Sequence, residues 1–217
     1  MNIWQTIKQF KREVELPESL VVVGLGNPGR AYAKTRHNVG RAALTFLATD
    51  ADSTFSPWQT SLKFQGQLSE GVIGDRQVYL LLPDTYMNES GRSVDQFIKY
   101  HRGVEVVIVH DDLDLPVGKL KLSVGRGPGG HKGVLSIMAW VKDQNFKRIR
   151  VGIRPLSNTL TEPIEKFVLA PFTSTEEVEI EKTWVAVKEA IESLVTVGWP
   201  QTVEKIHRSA ASIPETN

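Results

Sequence analysis

The 217 residues contain no cysteine, which excludes a disulfide-stapled scaffold, a thiolate metal site and a cysteine nucleophile. Long apolar runs are missing too. The most hydrophobic stretches, such as 104–109 with one Glu inside, are strand-sized and far short of the roughly 20 residues that cross a bilayer. No G-x-S-x-G occurs, so the serine turn of an acyl-serine hydrolase is not expected. There is no internal repeat, and no Pro/Gly/Ser-rich linker divides the chain. A signal peptide needs an uninterrupted apolar core and a small-residue cleavage site, and the first sixteen residues offer neither. What remains is an ordinary globular balance, 41% hydrophobic and 24% charged. A single domain of this length takes roughly 70% of its unfolded surface out of water, enough for a proper core.

The net charge of +1 hides an asymmetry. Between residues 115 and 154, nine basic side chains (Lys119, Lys121, Arg126, Lys132, Lys142, Lys147, Arg148, Arg150 and Arg154) stand against Asp143 alone. That segment carries +8 and leaves −7 for the rest of the chain. Segregation of this kind points to a polyanionic partner, with a merely solvated basic face as the alternative.

Ile3, Ile7, Phe10 and Val14 recur at helical spacing, so residues 1–16 read as a short amphipathic extension ended by Pro17. Glu13 and Glu15 argue against an organellar transit peptide. Beyond it, 19–24, 78–82, 104–109, 120–124 and 148–153 read as strands, and 39–48, 90–100, 134–141 and 176–197 as helices. Gly74-Asp75 between two alternating runs predicts a hairpin. Strands alternating with helices predict one α/β domain over 17–208, a twisted, mixed and mostly parallel sheet with helices on both sides, then a tail at 209–217.

Four loops follow these strands, where ligands collect in open α/β sheets. Gly24-Leu25-Gly26-Asn27-Pro28-Gly29 matches the dinucleotide fingerprint G-x-G-x-x-G letter for letter. Pro28, however, removes an amide donor from the loop and pushes Asn27 toward extended geometry. The helical pattern resumes only near Val39, so no dinucleotide cofactor is expected. In the second loop, Pro83 to Gly91, Tyr86 and Met87 beside Asn88 suit a ligand pocket, while Asn88 or Ser90 could instead cap the next helix. The third, His110-Asp111-Asp112-Leu113-Asp114-Leu115-Pro116, offers three carboxylates and an imidazole. A metal is the lesser reading there, and an aspartate orienting a distant histidine is the cheaper one. The fourth, Gly125 to Gly133, is a glycine-rich loop that fails the P-loop pattern because His131 follows the last glycine pair, yet suits contact with an anion. Of five histidines, His37 carries most weight, since it sits in a polar turn between basic residues near the first loop.

Taken in order, Gly24–Gly29 with Thr35-Arg36-His37-Asn38-Val39-Gly40, Pro83–Gly91, and His110–Gly118 followed by the glycine loop resemble the bacterial-type peptidyl-tRNA hydrolase family. The resemblance covers the chain from about Leu20 to the His207 region. It implies cleavage of the ester between a peptide, or another N-blocked aminoacyl group, and the 3′ end of tRNA, with no metal and no cofactor. It implies that His37 activates water and that Asp111 orients it. Asn27, Asn88, Tyr32, Tyr86, Met87 and Lys132 would bind the substrate, and Lys119, Lys121 and Arg126 the tRNA backbone. The expected partner is tRNA and not a membrane, the expected state a monomer, and the expected place the cytoplasm or an organellar matrix. One departure stands out: the family's glycine loop ends His-Asn-Gly, whereas this one reads His131-Lys132-Gly133. Lysine donates hydrogen bonds but cannot accept them. Lys132 therefore either keeps a donor role toward substrate, or marks a relative that binds RNA without cleaving it.

Overall fold

A computed structural model describes residues 18–160 and 162–211. The expected extension at 1–16 lies outside the described residues. Seven strands appear in chain order: β1 (Ser19–Gly24), β2 (Gln59–Ser61), β3 (Gly66–Ile73), β4 (Arg76–Pro83), β5 (Glu105–Pro116), β6 (Leu120–Val124) and β7 (Lys147–Arg154). Among the described residues six α-helices accompany them: α1 (Val39–Thr49), α2 (Ser90–Tyr100), α3 (Lys132–Val141), α4 (Ile164–Leu169), α5 (Ser174–Val197) and α6 (Trp199–Ala211). The expected tail at 209 thus begins inside α6.

The strands form one sheet in the order β2-β3-β4-β1-β5-β7-β6. Its centre is parallel, through β4–β1, β1–β5 and β5–β7, and its margins are antiparallel, through β2–β3, β3–β4 and β7–β6. The mixed sheet therefore keeps its parallel pairings where both faces are covered. Alternation along β1 divides the core: Leu20 and Val22 belong to a cluster with residues of α1, α5 and α6, while Val21 and Val23 belong to one with residues of α2 and α3. Among the described residues no helix is long and apolar enough to cross a membrane.

Two expectations need correction. The segment His110 to Pro116 is not a loop, because β5 runs through it to Pro116 beside β7, pairing Asp111 with Val151 and Asp112 with Gly152. A Cβ on Gly152 would stand 2.0 Å from the Pro116 carbonyl oxygen, so glycine is what admits this close pairing. Neither Asn88 nor Ser90 caps α2 with its side chain: Ser90 is its first residue, and its hydroxyl donates to the Met87 carbonyl at 3.0 Å.

In the strand order β4 and β5 flank β1 on opposite sides, so the chain reverses direction across the sheet at β1. The ends of β1, β4 and β5 meet there, the crevice where open sheets bind ligands.

Candidate active site

The first loop leaves β1 with the Leu25 N–H bonded to the Val109 carbonyl at 3.0 Å, and turns at Gly29, whose φ of 97° favours glycine. Two 3₁₀ turns, Arg30–Tyr32 and Arg36–Asn38, precede α1, so no helix begins where a dinucleotide fold requires one. The Asn38 side chain clasps Asn27, accepting from its N–H at 2.8 Å and donating to its carbonyl at 2.9 Å. At Gly40 a Cβ would lie 2.1 Å from the Val109 carbonyl oxygen. That close approach of α1 to β5 puts His37, three residues before Gly40, against Asp111, two residues after Val109.

His37 Nδ1 lies 2.9 and 3.0 Å from the two carboxylate oxygens of Asp111. Both residues are buried. A second imidazole completes the cluster: His131 Nε2 lies 2.8 Å from Asp111 Oδ1. The Nδ1 of His131 accepts the N–H groups of Gly133 and Val134 at 3.1 and 3.3 Å, so this residue caps α3. The cap explains why α3 begins at Lys132, two residues before the apolar pattern. Burial would raise the Asp111 pKa, but His131 and His37 on either side outweigh it and hold the carboxyl far below the usual range. His110, fully enclosed behind them, is pushed well below the ordinary histidine value, chiefly by burial.

The second loop contributes through Asn27. Its Oδ1 accepts the Met87 N–H at 2.9 Å, which leaves the Nδ2 amide for a ligand. Met87 packs beneath the start of α3, where a Cβ on Gly133 would meet its Sδ at 2.4 Å. A cleft of about 1300 Å³ opens over these groups. Asn27, His37, Tyr86, Met87, Asn88 and Asp111 all line it, and so do Lys121, Arg126 and Lys132. Two anticipated residues stand apart. Tyr32 packs edge-on against exposed Tyr86 with ring centroids 6.5 Å apart, and Lys119 is exposed on the turn between β5 and β6.

The basic segment divides as well. Lys147 bonds Glu105, Arg150 bonds Asp112, and buried Arg148 donates to the glycine-loop carbonyls of Gly127, at 2.9 Å, and Arg126. Lys119, Lys121, Arg126, Lys132 and Lys142 remain exposed. Sequence reasoning passed over His131 and also Arg36, which is buried next to His37. Arg36 donates to the Pro171 carbonyl and to Glu176, each at 2.7 Å, and lies 4.2 Å from the centre of the Phe167 ring. This pins the turn that bears His37.

The ligand atoms of His37, Asp111 and His131 lie within 4.8 Å of one another, close enough to gather round a cation. A ligating Nε2 on His131 would first have to move its proton to Nδ1, where two amide N–H groups already point. The set fits a hydrogen-bonded relay better than a metal. Such an arrangement can work as a base through His37 Nε2, at a cleft with amide side chains on one wall and cations along another.

A family model described as peptidyl-tRNA hydrolase matches residues 21–214. The peptidyl-tRNA hydrolase of Mycobacterium avium is 37% identical over 195 residues, 88% of this chain and 99% of that one. That of Lactiplantibacillus plantarum is 39% identical over 176 residues, 80% of this chain and 91% of that one. The crystal structure of peptidyl-tRNA hydrolase from Acinetobacter baumannii has a TM-score of 0.79 and 34% identity, covering 88% of this chain and 95% of that one.

Proposed function

The chain belongs to the peptidyl-tRNA hydrolase family, and from that premise we propose that it hydrolyses the ester joining a peptidyl, or other N-blocked aminoacyl, group to the 3′ end of tRNA, with His37 as general base. The observation that carries this reading is the His37 Nδ1 contact with both Asp111 oxygens. A carboxylate only accepts, so Nδ1 carries the proton and Nε2 presents a lone pair to the cleft.

In this reading His37 Nε2 takes a proton from water as its oxygen attacks the ester carbonyl, and Asp111 stabilises the imidazolium that forms. The Asn27 amide meets the developing oxyanion. Collapse of the tetrahedral intermediate breaks the bond to the ribose oxygen, which receives the proton back from His37. Lys132, exposed at the first turn of α3, adds a donor toward the same oxygen or a neighbouring phosphate. Met87, Asn88 and Tyr86, with Tyr32 behind it, hold the peptide and the terminal nucleotide. Lys119, Lys121 and Arg126 grip the tRNA backbone, giving salt-sensitive and sequence-tolerant binding. One chain supplies every group named, consistent with a monomer. The substrate suits the cytoplasm or an organellar matrix, wherever translation runs.

The test is release of an N-acetylated amino acid from tRNA, in EDTA, by wild type, His37→Ala and Lys132→Asn. The expected result is wild-type turnover that resists EDTA and disappears with His37 while tRNA affinity persists. A silent wild type that Lys132→Asn awakens would instead make this an RNA-binding relative with lost chemistry.

A further inference from the structure

Three imidazoles surround Asp111, and the partner of one nitrogen in each fixes where its proton sits. His37 Nδ1 faces a carboxylate, so it bears hydrogen. His110 Nδ1 faces the Asp111 backbone carbonyl at 2.7 Å, so it too bears hydrogen. His131 is the reverse: its Nδ1 faces two amide donors and must keep its lone pair, which leaves the proton on Nε2, directed at Asp111 Oδ1.

We propose that His131 is a positioning residue locked as the neutral Nε2–H tautomer by its role as helix cap, so that the site takes up a single proton, at His37 Nε2. The meaning of that proton rests on the proposed esterase reading, but the lock itself rests on geometry alone. A proton at His131 Nδ1 would confront both the Gly133 and Val134 N–H groups and cost α3 its cap. It would also place a second cation 4.9 Å from the His37 ring. The other titratable and charged groups near His131 are His110, edge-on at 4.8 Å, Arg148, which acts on His110 from β7, and Lys132, its chain neighbour. Among the described residues Asp111 is the one anion paired with the ring, while Asp112 is engaged by Arg150.

The lock has two consequences. Asp111 is held from one side by a donor that never becomes a cation, so its charge is reserved for the His37 imidazolium. His131 also shares Oδ1 with His37. Removing its donation makes the carboxylate a stronger partner for protonated His37.

The decisive measurement is a long-range ¹H–¹⁵N correlation of the histidine side chains in the full chain, between about pH 5 and 8, the window in which an unhindered imidazole changes charge. His131 should show a bare Nδ1 and a protonated Nε2 throughout, with His37 alone changing state in this cluster. A protonated Nδ1 on His131, or two imidazoles changing together, overturns the proposal whether or not the protein cleaves its substrate. The expected pattern in a protein that cleaves nothing upholds the lock and removes the esterase reading. As a second arm, His131→Asn keeps a side chain able to cap α3 but too short to reach Asp111. Cleavage should slow about tenfold, part of the 10²–10⁴ that a general base supplies, and the acid limb of the pH–rate profile should move to higher pH. An unmoved profile would mean that His131 only caps the helix.

Discussion

Strand β5 carries two clamped carboxylates, one at its start and one just past its middle, and both side chains point to the same face. At its start Glu105 is held between Arg76, at 2.8 Å, and Lys147. Farther along, Asp111 is held between His37 and His131. The two clamps are built alike, one anion between two nitrogen donors, but Glu105 is only partly buried where Asp111 is buried, and the donors differ. Guanidinium and ammonium keep their charge at every pH a cell meets, whereas an imidazole can release its proton near neutrality. The first clamp ties β4, β5 and β7 together. The second lies at the carboxyl end of the sheet beneath the cleft, where a group that gains and loses a proton is useful. Position along one strand separates holding from chemistry.

The sharpest way to break this contrast is His37→Ala, which should lower the cleavage rate by about 10²–10⁴ with little change in melting temperature. A rate within a few-fold of wild type would place the base elsewhere. Asp111→Asn comes next. It keeps the shape but loses the anion that orients both rings, and a rate loss of about 10² is expected, read in the same release assay. At the other end Glu105→Gln should leave activity per folded molecule unchanged. It should cost about 3 kcal/mol in urea unfolding or somewhat less, since Lys147 keeps some contact with water. Acid should separate the two clamps further. The depressed His110 value means that the unfolded chain binds a proton below about pH 6.5 that the native protein refuses. The depressed Asp111 value adds a second loss below about pH 4. Stability therefore falls in two stages on acidification, and His110→Phe should flatten the first, as read by melting temperature against pH. The smallest effect is Lys132→Asn, expected to leave turnover equal or modestly raised. A severe loss would show that lysine has acquired a role of its own.

Much of this organisation was legible beforehand. The bounds of β1, α2 and β6, and the hairpin at Gly74-Asp75, follow from alternation, helical spacing and turn chemistry. His37, Asp111, Asn27, Met87 and Asn88 were marked out and do meet at one cleft. The far half of β5 was not legible, because three aspartates in five residues read as a turn. Two of the three find their partners at a distance: Asp112 meets Arg150 thirty-eight positions on, and Asp111 meets His37 seventy-four positions back. His131 was missed for a different reason. Helix caps are recognised as Ser, Thr, Asp or Asn, and an imidazole in that role has no usual signature. The available signal was its place three residues before the apolar run of α3. The +8 segment overstates the free basic surface, since Lys147, Arg148 and Arg150 spend their hydrogen bonds inside the protein.

The Arg36 anchor bears on when this protein becomes competent. The bonds from Arg36 to Pro171 and Glu176 span 135 and 140 residues, and its own backbone N–H reaches the Ala170 carbonyl at 3.1 Å. During synthesis the segment bearing His37 leaves the ribosome early, but its brace is not yet made. Contacts of such separation form late, after the intervening chain has closed. His37 therefore gains this brace only once the chain as far as Glu176, at the start of α5, is available, late in synthesis.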